Sequence, residues 1–90
     1  MKTIEDLKEF LIKNFKEESI YLFGSRARGD NSCNSDIDIA IDSKRAISKE
    51  LSLARFEIEE SNIPFKVDLV ELSKAPYLRE IINKEGIKWH

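Results

Sequence analysis

The chain has one cysteine, Cys33, so no internal disulfide can form, and this loop thiol reads as incidental. No apolar run is long enough to span a bilayer, and the N-terminal stretch carries acids where a signal peptide would carry a basic segment. Both absences point to the reducing cytoplasm, away from the membrane. A basic excess is also lacking: 15 Lys and Arg stand against 17 Asp and Glu, a net charge of −2, which argues against a dedicated nucleic-acid binder. No repeat, low-complexity tract or interdomain linker interrupts the 90 residues, so a single domain over 1–90 is expected. There is no G-x-x-x-x-G-K-[ST], which excludes a P-loop ATPase on its own signal. The apolar fraction of 41% is nevertheless that of a chain that folds around a core.

What is present is a sequence of small elements. Thr3 with Asp6 three residues on reads as a helix start, and Ile4, Leu7, Leu11 and Phe15 continue at helical spacing to about Glu17. Ile20-Tyr21-Leu22-Phe23 is a β-prone run ended by Gly24, and a polar loop spans Asp30 to Ser35. From Asp36 to Asp42 the chain alternates, with Ile37, Ile39 and Ile41 on one face and Asp36, Asp38, Ala40 and Asp42 on the other. Ile47, Leu51, Ala54 and Ile58 mark the inner side of a second long helix, which Asn62-Ile63-Pro64 ends. Phe65 to Leu72 forms a third strand, with Val67 and Leu69 on one face and Lys66, Asp68 and Val70 on the other. A short final helix is expected from near Pro76 to before Gly86, with Ser73 as its cap. Helices between strands on so short a chain imply an α+β (α/β) fold: a small sheet with helices packed on one face.

The chemistry-bearing residues follow the strand ends. Gly24-Ser25, ten residues, then Asp36-x-Asp38 sets a small-residue turn beside two acids on one strand face, and Asp68 lies inside the later strand. Positions i and i+2 of a strand point the same way about 6.5–7 Å apart, so Asp36 and Asp38 can serve one metal pair. Magnesium takes carboxylates and keeps water and phosphate oxygens in its other positions. Two such ions can clamp the attacking and leaving oxygens of a nucleotidyl transfer. Asp68 is placed to complete the site and to draw the proton from an incoming hydroxyl. Gly24 permits close backbone approach to a phosphate, Ser25 adds a hydroxyl donor, and Arg26 and Arg28 can neutralise triphosphate charge.

Each signal has an ordinary explanation when taken alone. Asp-x-Asp on a strand face is usually solubilising and also occurs in metal-dependent sugar transferases; Gly-Ser after a strand is commonly a plain turn. Their joint order along the chain is what favours catalysis. Asp42 is expected to lie outside the metal site, and the terminal His90 to be neither ligand nor base. Tyr21, Phe23, Phe56 and Phe65 are read as core, and Trp89 as either core or partner contact.

Through Gly24-Ser25-Arg26-Ala27-Arg28-Gly29-Asp30, Ser35-Asp36-Ile37-Asp38-Ile39-Ala40-Ile41, Asn62 to Val70 and the closing Ile81 to Trp89 segment, the chain resembles the minimal nucleotidyltransferases of the DNA polymerase β-like superfamily. The resemblance implies the nucleotidyltransferase fold, a small mixed sheet with the site at its open edge. It implies ATP as substrate, held at Gly24 and Ser25, and magnesium at Asp36, Asp38 and Asp68. It further implies a helical HEPN-type toxin or substrate-binding protein as partner. In the toxin–antitoxin pairs of this family, the antitoxin transfers AMP to a tyrosine hydroxyl of the toxin. No acceptor-binding domain is expected within the chain, so the acceptor surface is expected on another molecule. Two other readings remain: the same chemistry on a small molecule, or an antitoxin that works by occlusion. A decayed site would be expected to have lost an acid or the Gly-Ser turn; all five residues are present.

Overall fold

The computed structural model describes residues 3–24, 37–64 and 66–90. Helix α1 (Ile4–Asn14) starts as its sequence dictates: the Thr3 hydroxyl accepts from the Asp6 N–H at 3.1 Å, and the Thr3 N–H donates to Asp6 Oδ2 at 3.2 Å. This reciprocal cap satisfies two of the amides that a helix start leaves without partners. The helix stops short of Glu17 because Phe15 leaves helical geometry (φ −129°, ψ 52°), and its side chain is buried with Leu7 and Leu11.

Strand β1 (Ser19–Phe23) pairs antiparallel with β2 (Ile37–Asp42), and β2 pairs parallel with β3 (Val67–Glu71). Parallel neighbours need a crossover, which α2 (Ser48–Glu60) supplies. Ile37, Ile39 and Ile41 are wholly buried under α1 and α2, together with Ile20, Leu22, Leu51 and Leu69. The two long helices therefore share one face of the sheet.

Beyond β3 the chain makes a short 3₁₀ turn (Leu72–Lys74), then α3 (Leu78–Glu85) and a two-residue strand β4 (Ile87–Lys88). Ser73 does not cap α3: its hydroxyl donates to Glu71 Oε2 at 3.1 Å, and α3 begins after Tyr77 without a side-chain cap. Strand β4 pairs antiparallel with β1, giving the sheet order β3-β2-β1-β4. Its continuation seats Trp89, whose N–H donates to the Ile20 carbonyl at 2.8 Å, against the main core. Helix α3 is the exception to packing on one face. Its Leu78 and Ile82, with Leu72, meet Ala40, Tyr21 and Phe23 on the opposite side of the sheet.

Phe56 departs from the sequence expectation: it is 60% exposed, on the outer side of α2. Phe65 lies outside the described residues.

Glu71, on the α2 side of β3, is buried without being apolar. Helix α2 has Ile47 at its N-cap and no side-chain cap of its own. The Glu71 carboxylate takes that place, accepting from the Ser48 hydroxyl at 3.2 Å, from the Ser73 hydroxyl and from the Ile47 N–H. An anion at a helix N-terminus is favoured by the orientation of the peptide dipoles. Burial opposes ionisation, but the bonds from Ser73, Ser48 and Ile47, with Lys74 nearby, outweigh it and leave the carboxyl below its ordinary 4.5. A lowered carboxyl contributes stability that is fully present above the unfolded value and is lost as pH falls through the folded one. Thermal melts of the wild type should therefore lose this contribution on acidification below about 4.5, the value from which Glu71 is lowered. Glu71→Gln should flatten that part of the profile, and Glu71→Ala should cost about 1–2 kcal/mol at neutral pH, the worth of a lost helix cap.

Candidate active site

Three of the expected site residues lie in described segments, Gly24, Asp38 and Asp68, and the sheet brings them together. On β2, Asp38 falls between Ile37 and Ile39, whose burial under the helices turns Asp38 to the other face. On β3, buried Leu69 does the same for exposed Asp68. The parallel register then sets Asp38 directly beside Asp68. Neighbouring strands lie about 4.8 Å apart, so the two carboxyl groups project from adjacent positions on one face.

Gly24 closes the third side. It follows Phe23, which is paired with Asp38 across β1 and β2, and it turns the chain with φ +80°. A methyl group there would meet the Asp38 carboxylate, with Asp38 Cγ only 3.3 Å away. Glycine is thus required twice, for the left-handed backbone and for the room it leaves.

Asp42 lies on the same face of β2 but at its far end, where Arg79 of α3 holds both carboxylate oxygens at 3.0 and 3.2 Å. Between the two acids, Ala40 is sealed beneath Leu72 and Ile82. The face is therefore divided: α3 neutralises and covers the Asp42 end, and the Asp38 end is left to Asp68 and Gly24.

Like charges directly opposite each other in a sheet are unfavourable, and a cation between them removes the penalty. The donor set is oxygen only, which suits a hard divalent ion such as magnesium. Among the described residues no group of three potential ligands gathers; Asp38 and Asp68 are two. Asp36, Ser25, Arg26 and Arg28 lie outside the described residues.

The sequence profile of the polymerase β nucleotidyltransferase family matches residues 5–88. The chain belongs to that family. It is 38% identical to a candidate protein adenylyltransferase of Methanocaldococcus jannaschii, over 97% of this chain and 98% of the relative. A second protein of that organism, similarly named, is 36% identical over the same shares. Among solved structures, a chain of a toxin–antitoxin complex with AMP-PNP superposes with a TM-score of 0.74 at 31% identity, covering 96% of this chain and 71% of that one. A chain of the MntA–HpeT toxin–antitoxin pair, a mutant with two aspartates changed to glutamate, gives 0.73 at 28% identity, over 96% and 71%. The four-stranded mixed sheet with its helices is the nucleotidyltransferase fold, and the chain is a nucleotidyltransferase. Among the described residues, no helix is long and apolar enough to cross a membrane.

Sequence reasoning did not find Glu71 or Arg79. What gives each its role is distant in the chain: Glu71 has local partners in Ser73 and Lys74, but it caps a helix by meeting Ser48 across 23 positions, and Arg79 meets Asp42 across 37.

Proposed function

We propose that this chain is an antitoxin that transfers AMP from ATP to a hydroxyl of its toxin partner, a helical HEPN-type protein, and thereby neutralises it. The in-register pair Asp38 and Asp68, with Gly24 backed against Asp38, is the observation that carries this reading. The similarity to candidate protein adenylyltransferases and to chains of toxin–antitoxin complexes supports both the nucleotide and the kind of acceptor.

Asp36, Asp38 and Asp68 would hold magnesium, which when bound offsets charge on the triphosphate and on the attacking oxygen. Gly24 lets the backbone come close to the phosphates, where the Ser25 hydroxyl donates and Arg26 and Arg28 balance charge. The acceptor oxygen forms its bond to the α-phosphorus as the bond to the bridging oxygen breaks and pyrophosphate leaves. The acceptor's proton passes to the Asp68 carboxylate, which lies at the exposed edge of the sheet. A tyrosine hydroxyl suits this step, being the easiest aliphatic-or-aromatic side-chain alcohol to deprotonate, with an ordinary pKa of about 10.

The test is mass spectrometry of the purified toxin after incubation with this chain, ATP and magnesium. A gain of one or more AMP units on a tyrosine is expected. Protection of cells by this chain with no such gain would favour occlusion, and AMP on a small molecule would move the acceptor. Ser25→Ala should lower the rate by about ten- to a hundredfold, as for loss of one hydrogen bond to a charged group at about 1.5–3 kcal/mol, and by less than loss of an acid. Steady-state kinetics against ATP measure it, and a loss equal to that of Asp38→Asn would reverse the ranking.

A further inference from the structure

Strand β3, which carries Asp68, is an edge of the sheet among the described residues. Its backbone groups alternate in direction. The Ile37 N–H donates to the Lys66 carbonyl at 2.9 Å, so Lys66, Asp68 and Val70 face β2 while Val67 and Leu69 face outward. Arg55 of α2 donates to the outward Leu69 carbonyl at 2.6 Å. The Val67 N–H and carbonyl and the Leu69 N–H also point away from the sheet, along the stretch that flanks Asp68.

A cavity of about 420 Å³ opens along this edge, on the α2 side. Ile58, Ile63 and Val67 make its apolar lining, and Arg55, Glu59 and Lys66 its charged rim, with Asp68 at its border. Side chains of a strand alternate between faces, so Lys66 and Asp68 project from one side of β3 and Val67 from the other, and the cavity wraps the edge to reach both.

We infer that the β3 edge receives an extended segment of the acceptor protein as an added strand, placing the target hydroxyl beside Asp68. The inference rests on the transferase reading above. Such strand addition takes its affinity from main-chain hydrogen bonds and its specificity from pockets for alternate side chains. The period of two sets the occupant's chemistry. The residue that carries the hydroxyl lies on the Asp68 face, and its sequence neighbour, an apolar side chain, enters the Ile58, Ile63 and Val67 cavity. A residue two positions from the hydroxyl is acidic and meets Lys66. Arg55 limits the pairing to the N-terminal part of β3 by occupying the Leu69 carbonyl. The added strand is thereby kept at the level of Asp68.

Backbone amide hydrogen exchange, read by NMR on the Asp38→Asn variant with the purified toxin partner added, tests this without turnover. The Val67 and Leu69 amides should slow at least about tenfold, as for a strand edge that becomes paired. The Asp68 and Val70 amides, which already face β2, should change little. In parallel, Lys66→Glu in the otherwise native chain should lower kcat/KM for the toxin about tenfold, as for a like charge set against an acidic segment, with KM for ATP unchanged. Wild-type transfer to the toxin with no protection at Val67 and Leu69 would overturn the inference and leave the transferase reading standing. A rise in KM for ATP alone would assign the cavity to the nucleotide and also overturn it. No transfer by the wild type would instead remove the transferase reading, and this inference with it.

Discussion

Asp38→Asn is expected to lower AMP transfer at least about a thousandfold, equivalent to about 4 kcal/mol of transition-state stabilisation. The substitution keeps the side chain's shape and removes its charge. Asp38 stands at the centre of the proposed constellation, in register with Asp68 on one side and filling the space beside Gly24 on the other, so under the proposed function both metal binding and phosphate placement would depend on it. The fold should not suffer. Because the change is isosteric, the metal-free protein should stay within about 1 kcal/mol of the wild type. Magnesium at a hundredfold excess over its Kd should stabilise the wild type by about 2.7 kcal/mol and the variant little. Melting curves with and without magnesium, beside transfer kinetics, separate loss of chemistry from loss of fold. A variant that transfers AMP at the native rate would remove Asp38 from the site. If Asp36→Asn and Asp38→Asn together still protect cells at full strength, the antitoxin works by occlusion.

Gly24→Ala should follow closely, with transfer reduced about a hundredfold, the cost of moving a reacting group by about 1 Å. Two independent penalties meet at this residue. At φ +80° an L side chain is strained by about 1–2 kcal/mol. The new methyl also presses on the Asp38 carboxylate, which must rotate away from Asp68 or force β1 aside. The rate loss should exceed the stability loss, because the displaced atoms are those of the proposed site. Chemical denaturation and single-turnover transfer on the same preparation compare the two. Equal losses would make Gly24 a turn residue and nothing more.

How much of this was legible in the chain depends on the range of each interaction. The Thr3 and Asp6 cap lies within four residues, and the structure forms it as read. The alternation of Ile37, Ile39 and Ile41 against Asp38 and Asp42 is equally local, and the sheet uses it unchanged. Phe56 shows where residue type misleads and periodicity does not: aromatic character suggests the core, yet the helical spacing that marks Leu51, Ala54 and Ile58 as the buried side of α2 leaves Phe56 outside it. Strand β4 is two residues long, too short to carry an alternation, and it exists because β1 offers an edge. Ser73 had the composition of a helix cap and became a donor to a buried carboxylate.

By itself the sequence determined which residues turn toward the core and which acids share a strand face, because those outcomes follow from repeats between near neighbours. Tertiary structure alone decided that Asp38 stands beside Asp68, that Glu71 caps α2, and that Arg79 withdraws Asp42 from the acidic face. Each of these joins elements far apart in the chain. Their register is set by how α2 and α3 pack on the sheet, and a one-residue slip of β3 would send Asp68 to the opposite face.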